Sequence, residues 1–154
     1  MNIGILIHSD TGNTLSVAQR IQEQLEKDGH TAKIEKVTAI KGDPKNGLHS
    51  TLSSIPKIEG YDKIIVGAPI NGFALSRAMK EYLALHGEFQ NKDVNCFVTQ
   101  HFKRSFLGGN QGIKYMLGTI RARGGKIKST AVVHWSSLKR DAEIKEAIEA
   151  MADI

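Results

Sequence analysis

Ile3-Gly4-Ile5-Leu6-Ile7, then Ser9-Asp10-Thr11-Gly12-Asn13-Thr14, then Leu15, Val17, Ala18, Ile21 and Leu25 form the stretch that decides the fold. The first run is aliphatic and β-branched, the pattern of a short strand buried on both faces. The last set recurs at helical spacing. Four of the six residues between them carry a hydroxyl or an amide, and Gly12 permits a tight turn. A strand–loop–helix of this composition aims several backbone N–H groups and hydroxyls at one point, at the positive end of a helix. That arrangement suits a phosphate. The loop holds no Lys or Arg, so the anion is expected to be held by neutral donors and the helix dipole. The simpler alternative is an ordinary helix start capped by Ser9 or Thr11. Three hydroxyls and a glycine in six residues are more than a cap requires.

Working outward, strand and helix patterns alternate. Residues 31–37 read as an amphipathic strand, and 38–58, with Gly42, Pro44, Gly47 and Pro56 among polar residues, as a loop or at most a short helix. Residues 63–68 form the third strand pattern and 94–99 the fourth, and 126–135 is the fifth, ending on Trp135. Helices are expected over 76–86, 111–123 and 140–151. Repeated βα units of this size imply an α/β fold, a doubly wound parallel sheet with helices on both faces, in a single domain over 1–154. In such a sheet the ligand crevice lies where strand order reverses, and three loops should line it: 8–14, 68–76 and 99–110.

The chain has 154 residues, 40% of them hydrophobic, and no apolar run approaches the roughly 20 residues that span a membrane. It begins directly with a strand pattern rather than a basic segment and apolar stretch, so a cytoplasmic location without membrane attachment is expected. Cys96 stands alone in an apolar strand and reads as a small buried hydrophobe. The six histidines show no metal-ligand spacing among themselves or with Cys96, and no protein metal site is expected.

The loop Ser-x-Thr-Gly-Asn-Thr after the first strand resembles the FMN-phosphate loop of the flavodoxin family. Neither the dinucleotide pattern G-x-G-x-x-G nor the P-loop pattern G-x-x-x-x-G-K-[ST] occurs in the chain. The resemblance implies FMN as cofactor and a five-stranded flavodoxin-like sheet of order 2-1-3-4-5, with the fifth strand uninterrupted as in short-chain flavodoxins. It assigns the phosphate to Ser9, Asp10, Thr11, Gly12, Asn13 and Thr14. Pro69, Ile70, Asn71, Gly72 and Phe73 fall in a segment that resembles the family's first ring-contacting loop, with Asn71-Gly72 as the turn pair and Ser76 capping the next helix. Thr99, Gln100, His101, Phe102, Gly108 and Gly109 fall in the second such loop. There Thr99 and Gln100 face the polar edge of the ring, and Phe102 or His101 stacks on it. Many flavodoxins hold the ring between Trp and Tyr; neither occurs in these loops.

Charge is the other departure. Flavodoxins are usually acidic, whereas this chain carries a net charge of +5, and positions 97 to 140 contain no Asp or Glu. Lys103 and Arg104 fall within the second ring loop and suit an acidic redox partner, an anionic cofactor such as NAD(P)H, or a reduced flavin. Nucleic acid is not an expected partner, since no recognised module accompanies the charge. The resemblance implies a one-electron carrier between redox proteins, with no catalytic acid, base or nucleophile; a monomer is expected, with a dimer as the alternative. Its alternatives are an NAD(P)H-dependent quinone or FMN reductase, whose Gly-rich loop Gly108-Gly109-Asn110-Gln111 resembles, and an interaction module that binds FMN poorly.

Overall fold

The structure, a computed structural model, describes residues 1–40, 52–102 and 108–154. The apolar runs become the strands β1 (Asn2–Ile7), β2 (Thr31–Lys36), β5 (Lys63–Asn71), β7 (Asp93–Gln100) and β8 (Lys126–His134). They pair in parallel in the order β2-β1-β5-β7-β8, which is the expected 2-1-3-4-5 once three short strands are set aside. Those are β3 (Thr38–Ala39), β4 (Leu52–Ser54) and β6 (Ala74–Leu75). Four helices connect the sheet: α1 (Asn13–Lys27), α2 (Arg77–Leu85), α3 (Gly109–Ala122) and α4 (Arg140–Ala152). None of these is long and apolar enough to cross a membrane.

The two-residue period of each strand explains why both faces are covered. In β1, Ile3, Ile5 and Ile7 pack with Val17, Ile21 and Leu25 of α1 and with Ile144, Ala147 and Met151 of α4. The intervening Leu6 joins Ile64, Val66, Val94, Cys96 and Val98 against Met79, Tyr82 and Leu83 of α2 and Met116 and Ile120 of α3. Cys96 is fully buried. At the helix-facing edge of the sheet's other end, Lys63 is nearly buried and donates from Nζ to the Asp153 carbonyl at 3.1 Å.

Two local expectations are corrected. Within 38–58, read as a loop or short helix, Thr38–Ala39 and Leu52–Ser54 pair as an antiparallel two-stranded sheet, while 41–51 lie outside the described residues. Leu52 and Ile58 are buried in the core, and that tertiary anchor is absent from any turn-residue count. The second correction concerns 68–76. β5 runs on to Asn71 and folds back on β6, pairing Ile70 with Leu75 and Asn71 with Ala74. Gly72 and Phe73, rather than Asn71 and Gly72, are therefore the central turn residues, with φ of 53° and 69°. Positive φ at both is the condition of a type I′ hairpin turn.

Candidate functional site

The carboxyl ends of β1, β5 and β7 open into one cleft with two walls. The first wall is the loop of residues 9–14. Gly12 adopts a left-handed φ of 94° as the N-cap of α1, a conformation that a side chain disfavours. The Ser9 hydroxyl accepts from the Leu15 amide at 3.2 Å, and Ser16 N–H donates to the Gly12 carbonyl at 2.9 Å. Among the described residues, the backbone N–H groups of residues 10–14 meet no protein acceptor. These free donors stand at the positive end of a 15-residue helix, beside the exposed Thr11. They make a cradle for an anion.

The second wall is assembled from the hairpin and the end of β7. Ser76 closes the hairpin by capping α2, its hydroxyl accepting from the Met79 amide. Phe73, 53% exposed at the turn, stacks on Phe102 with ring centroids 5.3 Å apart and planes 6° from parallel. His101 meets the Phe102 edge. Gln100 donates from Nε2 to the Phe102 carbonyl at 2.7 Å and fixes the chain as it leaves β7. Gly108 is a close approach: a Cβ there would lie 2.6 Å from Ile70 Cγ2 and 2.7 Å from the Phe73 carbonyl. Two ties join the walls. Thr14 and Thr99, both buried, share a hydroxyl–hydroxyl bond of 2.9 Å, and Asn71 Nδ2 donates to Asp10 Oδ2 at 2.7 Å.

Between the walls lies a groove of about 210 Å³ lined by Asp10, Thr11, Asn13, Pro69, Ile70, Asn71, Thr99, Gln100 and His101. All nine are residues that the sequence singled out. Phe73 and Phe102 cover one another outside this lining.

No family profile and no curated protein matches the sequence. Solved structures do match its shape. A flavodoxin from the domain Archaea superimposes with a TM-score of 0.70 at 13% identity, over 100% of this chain and 96% of that one. A flavodoxin, WrbA-like protein from Agrobacterium tumefaciens gives 0.71 at 16% identity over 99% and 95%. Fusobacterium nucleatum flavodoxin bound to flavin mononucleotide gives 0.61 at 20% identity over 96% and 95%. The chain has the flavodoxin fold.

In this flavodoxin fold the cleft is the topological switch point, where β2 and β5 leave β1 in opposite directions. Three features around it escaped the sequence reading. His8, the first residue after β1, bonds Asp10 and the Val37 carbonyl. The β5–β6 pairing needs a partner strand of two residues, too short to carry a period. The turn after β8 is tied to the second ring loop, since the Ser136 amide and hydroxyl both donate to the His101 carbonyl. Trp135, at the start of that turn, packs on the core, and the Arg140 guanidinium lies 5.2 Å from its ring centre. A polar residue at a strand's end was the available signal for His8; the other two have no local signal.

Several cations stand at the cleft end of the flavodoxin fold. Arg77 and Lys80 open α2 with no acid in its first turn, Lys139 and Arg140 open α4 beside Asp141 and Glu143, and Lys36 ends β2. Cations at helix N-termini run against the helix dipole, costing about 0.3–1 kcal/mol each when exposed. Arg77 and Lys80 therefore gain nothing from the dipole of α2, although the Lys80 ammonium lies 5.2 Å from the centre of the Tyr115 ring. Lys103 and Arg104, expected to steer a partner, lie outside the described residues.

Proposed function

We propose that this protein binds FMN in the cleft and carries electrons one at a time between redox proteins. The observation that carries the reading is the set of free amides at residues 10–14, facing a second wall rich in apolar and aromatic surface. Those amides and the Thr11 hydroxyl would hold the phosphate, with the α1 dipole favouring its charge. When bound, FMN supplies reversible uptake of one or two electrons. The chain's part is to orient the ring and adjust its surroundings. Phe73 or Phe102 would exchange its partner's face for that of the ring. Gln100 and the central turn peptide between Gly72 and Phe73 would present hydrogen-bonding groups to its polar edge. The glycine allows that peptide to reorient when the ring's proton inventory changes.

The basic rim favours an acidic partner protein. Arg77, Lys80, Lys139 and Arg140 are supported in this by the position of Lys103 and Arg104 in the chain. The visible absorption spectrum of the purified protein tests the cofactor. Flavin bands, with FMN as the released species, are the expected result. A colourless protein that also fails to take up added FMN overturns the reading. Steady oxidation of NADPH with a quinone acceptor decides instead for the reductase.

A further inference from the structure

The walls of the cleft are joined through an acid where an anion is to be held, and the partners of that acid explain it. His8 Nδ1 lies 2.9 Å from the Val37 carbonyl, and His8 Nε2 lies 2.8 Å from Asp10 Oδ1. The other Asp10 oxygen accepts from Asn71. A carbonyl and a carboxylate are both acceptors, so both ring nitrogens must donate. A neutral imidazole has one N–H. Its Nδ1–H tautomer turns a lone pair on the Asp10 carboxylate, and its Nε2–H tautomer turns one on Val37. The full set of bonds belongs to the imidazolium beside an ionised Asp10. His8 cannot easily trade these partners for water, because its side chain is only 11% exposed.

We propose that doubly protonated His8 is a positioning residue. It cancels the charge of Asp10 beside the anion cradle and, through Asp10, holds Asn71 and the hairpin against the first wall. The proposal rests on the phosphate-binding reading above. Among the described residues, the charged groups that line the space beside the ring are Asp10 from the loop and Lys36 from β2. α1 contributes Leu15, and β3 contributes Thr38 and Ala39, none of them titratable. Loss of the second His8 proton leaves Asp10 uncompensated next to the phosphate and breaks one end of the hydrogen-bond chain. Anion affinity should then be lower with a singly protonated ring.

The test has two arms. In the first, ¹⁵N NMR of the ligand-free protein is followed from about pH 5 to about pH 9, the range over which histidines titrate. Both His8 nitrogens should carry protons at the low end, and the Asn71 side-chain amide should shift in the same step. In Asp10→Asn the ring can accept from the new amide, so the step moves to lower pH and the Asn71 shift disappears. In the second arm, FMN and riboflavin are titrated over the same range. FMN affinity should fall about tenfold across the His8 step in the native chain, equivalent to about 1.4 kcal/mol. In Asp10→Asn the FMN step should move to lower pH with the ring, in His8→Gln only the phosphate's own titration should remain, and riboflavin, which lacks the phosphate, should show a smaller step than FMN in the native chain. A His8 ring with one proton throughout, or an FMN profile identical in the native chain and both variants, overturns the proposal. If the coupled His8 and Asn71 shifts occur but FMN does not bind, the latch stands and the FMN reading fails.

Discussion

The loop of residues 9–14 makes its wall from the backbone of six consecutive residues, whereas the facing wall is put together from the hairpin, residues 100–102 and Gly108. The first wall needs little from the rest of the molecule. Its donors are unpaired because a helix begins there, and one left-handed glycine sets their direction. The second depends on side chains brought from separate segments: the Phe73–Phe102 stack, the Gln100 bond to Phe102, and the fit of Gly108 beneath Phe73. A wall of backbone donors is expected to resist substitution and to select for charge. A wall of packed side chains is expected to be sensitive to volume and indifferent to the phosphate.

Gly108→Val should break the contrast most forcefully. The added Cβ meets the Phe73 carbonyl with no flexible atom to yield, and φ at this position is 123°. Overpacking and the unfavourable φ together should cost about 3 kcal/mol in urea unfolding. A loss under about 1 kcal/mol means the second wall is not rigidly fitted.

Thr11→Ala probes the first wall. A hydrogen bond to a charged group is worth about 1.5–3 kcal/mol, so FMN affinity should fall at least tenfold. Riboflavin affinity should stay within twofold. Equal losses remove the assignment of this wall to the phosphate.

The aromatic pair sharpens the comparison from the other side. Phe102→Ala forfeits the stack, about 1 kcal/mol, and should weaken FMN and riboflavin alike. Phe73→Gly forfeits the same stack but relieves a positive φ that costs a non-glycine residue about 1–2 kcal/mol. Its stability should therefore lie within about 1 kcal/mol of the parent. A larger loss from Phe73→Gly than from Phe102→Ala contradicts the strained turn.

The smallest effect lies beneath both walls. Burial in β7 pushes the Cys96 thiol from its ordinary 9.0 up to about 12, although Arg121 pulls the other way. The folded chain thus keeps a proton that the unfolded chain releases. The stabilisation is whole below pH 9 and is lost as pH rises toward 12, by about 1.4 kcal/mol per unit at most. Cys96→Ala should remove the part of this decline that begins near pH 9. It should leave the part that begins near pH 10, where buried Tyr82 and hydrogen-bonded Tyr61 hold their phenols above the ordinary range. Denaturant midpoints from about pH 8 to pH 10 measure it; identical slopes for parent and variant reject the thiol's part.

What the sequence disclosed follows the same division. The elements were legible because each central strand is a short apolar run buried on both faces and each helix keeps a 3.6-residue stripe, whereas the order of the strands followed from the resemblance to flavodoxins. The anion loop was legible because its hydroxyls and glycine are adjacent. The turn at Gly72-Phe73 was misplaced by one residue, since Asn-Gly is the stronger local turn signal and the pairing of Asn71 with Ala74 is decided across the hairpin. The stacking of Phe102 was foreseen with a ring ligand, but its partner within the chain is Phe73, from a different loop. Thr14 was assigned to the phosphate and Thr99 to the ring; their hydroxyls bond each other below the cleft. Contacts of that kind leave no trace in local spacing.

The most direct test of the two-wall account is a titration of the ligand-free native protein with FMN and with riboflavin under one buffer condition, followed by flavin fluorescence. FMN should bind at least about tenfold more tightly, the minimum expected when a charged phosphate gains even one such hydrogen bond from the free amides of residues 10–14. Equal affinities, or tighter binding of riboflavin, would contradict the account.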